Sequence, residues 1–373
     1  MITLGDDMKK ETLFKLLDKA KEKQKSVILI GNYGIGKSQL IYEYAEQRAK
    51  ELNKKLIVWH LLNEEEKKLI YSNIKDYFIL VDIKLQTIGD ISKLTGVPII
   101  VNNGEQKIFW EPPAFIKVLT NPHAVGVFFL DEINMALPSL QSITFELLLQ
   151  KKIGEWKISK DVLIVGAGNT LETNISANPI PKPLINRCLF IHFEAFDVDD
   201  WIKWALDKKL DERVIAYVKL FRELIRDDDN ELTQTTRPRS FEILSDMIED
   251  SDDLDYIELV ANAVLHKTDA VQFINFVKLM NKLNYNIYIE EPTAFDTQEL
   301  NVKYAIITII SKNVDKIDKN KLANFIIHIS ETNSEFALLL LSLLKSRKSQ
   351  ALNKILEKLP KQIIDKFIDI LTW

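Results

Sequence analysis

One octapeptide narrows the folds open to this chain more than any other stretch: Gly31-Asn32-Tyr33-Gly34-Ile35-Gly36-Lys37-Ser38. It fits the pattern G-x-x-x-x-G-K-[ST]. It stands between a short apolar run, residues 27–30, and a helical pattern over residues 37–52. A strand that turns through glycines straight into a helix is the context in which this pattern has a physical meaning. Glycines let the backbone curl so that several N–H groups point at one phosphate, and the helix N-terminus adds positive potential. Lys37 supplies charge to the β and γ phosphates, the Ser38 hydroxyl is suited to hold Mg2+, and Gln39 completes the nucleotide-contacting stretch. The bland alternative is a glycine-rich turn that ends in a lysine. The strand before it and the helix after it favour nucleotide binding.

The rest of the first half supplies the frame such a loop needs. Residues 27–30, 56–59, 78–83, 127–130 and 162–165 are β-rich apolar runs, with helical segments between several of them, notably 37–52 and 137–150. That alternation predicts an α/β fold with a parallel sheet sandwiched by helices. The run Val127-Phe128-Phe129-Leu130 ends in Asp131 and Glu132. Asp131 is placed to orient the water shell of a Mg2+ ion, and Glu132 to polarise an attacking water. Acids after a strand also commonly cap the next helix, so this pattern gains its meaning from the loop upstream. The run 162–168 leads into Asn169, whose amide would reach both γ-phosphate and water; alone, it reads more readily as a turn residue.

Beyond Phe196 the pattern changes. Asp197-Val198-Asp199-Asp200 reads as a linker and helix start, and nearly every later segment is an amphipathic helix. The acidic run 227–231 reads as a solvated loop, Glu290-Glu291-Pro292 as a break, and the stripe Phe336, Leu340, Leu344 as core. With 373 residues there is room for two or three domains. A formal charge of -5 gives no overall basic field, so composition does not argue for nucleic acid or an anionic membrane as partner, while leaving room for a local basic surface. Cys188 is the only cysteine, so no intrachain disulfide forms. No apolar run approaches the roughly 20 residues of a membrane span, and the N-terminus lacks a secretory pattern, so the expected location is cytoplasmic. The five histidines lack metal-ligand spacing.

Taken together, these residues resemble the MoxR branch of the AAA+ ATPases. The octapeptide looks like Walker A, and Leu130-Asp131-Glu132-Ile133-Asn134, with Ala136 and Pro138 after it, looks like that branch's Walker B. Asn169 matches sensor 1. Arg187, after Asn186, matches the arginine finger. Thr236-Arg237-Pro238-Arg239-Ser240 looks like sensor 2, with Arg239 the aligned arginine and Arg237 a nearby competitor. Weaker similarity continues through residues 201–205 and 260–276. The chain departs from the family at Tyr33, where proline is usual, at Met135, where a polar residue is common, and at Cys188, where an aromatic is frequent. The resemblance implies ATP and Mg2+ as ligands and a ring of copies, usually hexameric. It implies an AAA+ αβα core at 1–198, an α-helical lid at 199–290 and a helical C-terminal extension at 291–373. Arg187 would then act on a neighbour's nucleotide, and Arg239 would report γ-phosphate to the lid.

Two segments invite a partner. Residues 85–113 are longer than a crossover needs and contain Asn102-Asn103-Gly104 between apolar runs, a hairpin signal. Residues 151–157 read as a second hairpin. Family likeness makes these pore-facing inserts, with Trp110, Trp156 and the nearby lysines able to grip a protein; packing of both tryptophans on the core is an equal reading. The leading functional expectation is ATP-driven remodelling or assembly of a protein, by resemblance one that works with a von Willebrand factor A domain protein. The alternatives are an McrB-like nucleic-acid motor and a nucleotide-gated scaffold with little turnover.

Overall fold

The computed structural model describes residues 2–3, 10–102, 106–170, 177–194, 197–227, 234–347 and 350–368. The strands are β1 (Ile2–Thr3), β2 (Val27–Ile30), β3 (Lys55–Val58), β4 (Tyr77–Lys84), β5 (Val97–Asn102), β6 (Gln106–Glu111), β7 (Gly126–Asp131), β8 (Lys152–Ile153), β9 (Trp156–Lys157), β10 (Val162–Gly168) and β11 (Leu189–His192). Seven of them form one parallel sheet in the order β1-β11-β2-β10-β7-β4-β3. The central strands β2 and β10 are buried at every position, as their unbroken apolar runs require for a sheet covered on both faces. The outer strands β3 and β11 are only partly buried.

The five runs read from the sequence are all strands of this sheet, four of them within one residue at their ends and the run 162–165 continuing to Gly168. Trp59 turns into a short 3-10 segment instead of closing β3. β1 and β11 carry no such signal: one is two residues long, and the other, Leu-Phe-Ile-His, directly follows a turn. The helices after the loop and after β7 run Lys37–Glu51 and Pro138–Gln150.

The two expected hairpins exist as separate two-stranded sheets. β5 and β6 pair antiparallel from Val97↔Glu111 to Asn102↔Gln106, while Asn103 and Gly104 of the expected turn lie outside the described residues. β8 and β9 pair through Ile153↔Trp156, with Gly154 at φ 54° in the turn.

The contacts divide the chain into Met1–Glu194 and Ala195–Trp373. Phe196 lies outside the described residues. So do 228–231 of the acidic run. The second unit is helical from Val198–Asp207 to Lys361–Lys366, and a single apolar core runs through it from Trp201 to Phe367. Phe336, Leu340 and Leu344 lie in that core, as the sequence pattern predicts. Among the described residues, no helix is long and apolar enough to cross a membrane.

Candidate active site

Because the sheet is parallel, β2, β7 and β10 end on the same side, and there the loop, the acids and Asn169 converge. Open α/β sheets place ligands at this edge. Gly31 follows β2 so closely that a Cβ on it would lie 2.0 Å from the Phe193 carbonyl oxygen; only glycine passes here. Gly34 and Gly36 hold φ of 70° and 94°, left-handed backbone that glycine adopts without strain. Gly36 is also the N-cap of helix Lys37–Glu51. No side chain caps this helix and its first turn carries no acid, so its leading amides are left to the loop's interior. Asn32 Oδ1 accepts from the Thr170 hydroxyl at 2.9 Å, which ties the loop to the end of β10. Ile35 is buried, Tyr33 is exposed, and Gln39 donates to Glu43 at 3.1 Å along the helix.

Lys37 is 8% exposed. Its ammonium donates to the Gly31 carbonyl at 2.8 Å, the Asn32 carbonyl at 2.6 Å and Asn169 Oδ1 at 3.3 Å. Among the described residues it forms no ion pair; Asp131 and Glu132 act on it only at longer range. Burial pushes its pKa down to about 8 against the opposing pull of those two acids. A buried cation held only by neutral oxygens is an unfinished arrangement.

Ser38 Oγ donates to Asp131 Oδ2 at 2.8 Å, and the Glu132 N–H donates to Asp131 Oδ1 at 2.9 Å. A hydroxyl beside a carboxylate is the oxygen set that hard divalent cations take. Among the described residues, no group of three or more His, Cys, Asp and Glu side chains could hold a metal unaided, so a cation here would need phosphate oxygens as well. Glu132 has φ 57°, a left-handed conformation uncommon outside glycine. Its carboxylate makes no hydrogen bond or ion pair among the described residues.

Sequence reasoning missed two connections. Asn134, 3% exposed, donates to the Asn169 carbonyl at 2.8 Å and accepts from the Asn169 N–H at 3.0 Å, so the last residue of the 130–134 motif fixes the backbone of Asn169. One turn after Ser38 on the same helix, Tyr42 donates to Asp82 Oδ2 on β4 at 2.8 Å. Burial, aided by the Asp131 charge, raises the Asp82 carboxyl pKa, while the Tyr42 bond opposes it. The spacing of Ser38 and Tyr42 is visible in the sequence; the adjacency of β4 and β7 is not.

The two remaining arginines stand elsewhere. Arg187 is exposed and lies two residues before β11, whose Leu189 pairs with Val27 at the start of β2. It therefore sits at the edge where strands begin. The length of β2, about 13 Å at 3.3 Å per residue, separates it from the loop. Arg239 is exposed on the first turn of helix Pro238–Ile248, in the second unit, whereas its competitor Arg237 is buried and ion-paired with Asp227. At the second hairpin Lys151 is buried, donating to the Val162 carbonyl at 2.7 Å, and the partly buried Trp156 packs against the sheet core, which favours the packing reading of the two left open for Trp156. Trp110 is 52% exposed.

No protein-family model matches the chain, and no curated protein matches it. Solved structures similar to it include the Thermotoga maritima RuvB Holliday junction branch migration motor, 13% identical over 96% of this chain and 86% of that one, with a TM-score of 0.28. Brucella abortus NtrX in complex with ADP is 12% identical over 98% of this chain and 69% of that one, TM-score 0.36. Aquifex aeolicus DnaA bound to AMPPCP is 13% identical over 98% and 96%, TM-score 0.34. At such scores no activity passes from them to this chain, and function rests on the residues described above.

Proposed function

We propose that this chain is an AAA+ ATPase of MoxR-like type that binds Mg-ATP at the loop after β2, hydrolyses it in a ring of copies, and uses the cycle to remodel or assemble a protein partner. The observation that carries the reading is Lys37: a buried ammonium, held by neutral oxygens at the mouth of uncapped helix amides, that an anionic phosphate would complete. In this reading 1–198 is the nucleotide core, 199–290 the lid and 291–373 an extension.

The residues fit the parts of phosphoryl transfer. Loop amides and Lys37 hold the phosphates. Ser38 and Asp131 would hold Mg2+, which when bound draws charge from the phosphate oxygens. Glu132, free of other partners among the described residues, accepts a proton from the attacking water. Asn169 aligns that water, its position set by Asn134. The location of Arg187 supports action in trans: it lies at the far edge of the sheet from its own chain's loop and is exposed, so in a ring it would neutralise charge on the γ-phosphate of another copy. Arg239 is the arginine proposed to read the γ-phosphate from the lid, because Arg237 is already committed to Asp227. A protein partner is favoured by hairpin β5–β6, which exposes Ile100, Ile108, Phe109 and Trp110 and has no basic strip. A von Willebrand factor A domain protein is the partner the resemblance points to.

The test is a pair of variants assayed for ATP binding and phosphate release at ring-forming concentration. Glu132→Gln should keep binding and lose hydrolysis, and Lys37→Ala should lose binding itself. Normal turnover in the Glu132 variant removes the assignment of the base, and an absence of phosphate release from the unaltered chain removes the ATPase.

A further inference from the structure

We infer that Asp82, on the strand beside the one that carries Asp131, is a second acidic anchor for the hydrated divalent cation at the phosphate site. The inference rests on the ATPase reading above and deepens it.

The geometry is a repeated unit. Ser38 and Tyr42 lie four residues apart on helix Lys37–Glu51, and so share one face of it. Each donates a hydroxyl proton at 2.8 Å to a carboxylate on the sheet beneath, Ser38 to Asp131 and Tyr42 to Asp82. Those carboxylates come from neighbouring parallel strands. Asp82 stands beside Phe129 in the register, and Phe129 and Asp131 project to the same face because side chains alternate along a strand. Asp82 and Asp131 are thus on one face, one strand across and two residues along, roughly 8 Å apart at Cα from standard strand spacings.

That separation suits a cation that keeps its water. A Mg2+ ion binds its waters at about 2.1 Å, and each water donates over about 2.7 Å, so acceptors around 4 to 5 Å from the ion can share it. With their Cα atoms about 8 Å apart on one face, the two carboxylates are close enough to act on one water shell. Asp82 also has an oxygen to offer. Oδ2 takes the Tyr42 proton, while Oδ1 is buried and has no hydrogen-bond partner among the described residues. A buried carboxylate oxygen left unsatisfied is costly, and a cation-bound water is a donor of the right kind to meet it. Were the tie to Tyr42 the whole role of Asp82, a neutral amide would serve as well, because its carbonyl oxygen accepts the same proton.

That difference is what the experiment reads. Mn2+ uptake is followed by the electron paramagnetic resonance of the free ion, with a non-hydrolysable ATP analogue present, and analogue affinity is measured separately in EDTA. Asp82→Asn should weaken Mn2+ binding by about tenfold, the lower end for loss of an outer-sphere partner, with affinity in EDTA unchanged. Asp82→Glu should recover most of that loss, and Tyr42→Phe, which leaves the charge in place, should bind Mn2+ as the unaltered chain does. Unchanged Mn2+ binding in Asp82→Asn, or an equal loss in Tyr42→Phe, overturns the inference alone. Failure of the unaltered chain to take up Mn2+ with the analogue overturns the ATPase reading beneath it too.

Discussion

The side chain of Asn134 grips the backbone of Asn169 from both sides, its amide nitrogen donating to the carbonyl at 2.8 Å and its oxygen accepting from the N–H at 3.0 Å. The grip depends on the residue before Asn169 being glycine: a Cβ on Gly168 would come within 2.7 Å of Asn134 Oδ1. Asn134 is itself held by Asn178, whose N–H donates to its carbonyl at 2.8 Å. Asn134→Ala would remove both bonds to the part-buried Asn169 backbone, a loss of about 1 to 3 kcal/mol at roughly 0.5–1.5 per hydrogen bond. Thermal melting should show that loss, and turnover should fall more than nucleotide affinity. Wild-type turnover in a folded Asn134→Ala chain would show that Asn169 needs no support.

Lys37 carries a pH signature. Burial holds its pKa at about 8, below the ordinary value of about 10.4 that the unfolded chain would show. Between these values the unfolded chain binds more protons, so this group's contribution to stability rises with pH across that window. Lys151, also lowered to about 8 by burial, adds to the same trend. Nucleotide separates the two. A phosphate against Lys37 favours the charged form, so binding near about pH 8.5 should take up a proton, measured by calorimetry in buffers of differing ionisation enthalpy. The uptake should shrink towards neutral pH and vanish in Lys37→Arg, whose guanidinium stays charged throughout; uptake that persists in that variant would assign it to another group.

Cys188 should be a sluggish nucleophile. Burial raises its thiol pKa to about 11, and only a weak pull from Lys25 opposes it. The thiolate fraction at neutral pH is then small. Reaction with a disulfide reagent should be far slower in the folded chain than after denaturation. Equal rates would mean that the strand start at Leu189 opens readily.

Hairpin β5–β6 should matter for association and little for stability. Ile100 and Ile108 face each other across the ladder and are 64% and 66% exposed. Replacing both with serine removes little buried area, so the melting temperature should hold within a few degrees. Binding of an apolar dye and capture of a protein partner should both drop. A large loss of stability would place these side chains in a core instead.

The frame of the first unit is legible because its strands announce themselves locally. Runs such as Val162-Leu163-Ile164-Val165 are apolar at every position, which only a doubly covered strand requires, and the glycine pattern marks the loop without help from distant residues. What escapes depends on neighbours far apart in the chain. Nothing local says that β4 lies beside β7, so the Tyr42–Asp82 bond cannot be read. Lys151 reads in sequence as a candidate for gripping a partner, and the Val162 carbonyl that holds it in the interior lies on a later strand that no local pattern places beside it. The left-handed backbone of Glu132 is likewise imposed by its surroundings: the Ile133 N–H donates to the Ala167 carbonyl at 2.8 Å and the Met135 N–H back to the Glu132 carbonyl at 2.9 Å, which fixes the turn.

The strand order carries a consequence for synthesis on the ribosome. β10 is made after both β2 and β7, yet it lies between them. Until it threads into place those two strands have no common neighbour, and Ser38 has no settled route to Asp131. On the proposed function, a chain translated only as far as β7 would offer a triphosphate no formed pocket, and a bound nucleotide would stabilise only molecules in which β10 is in place.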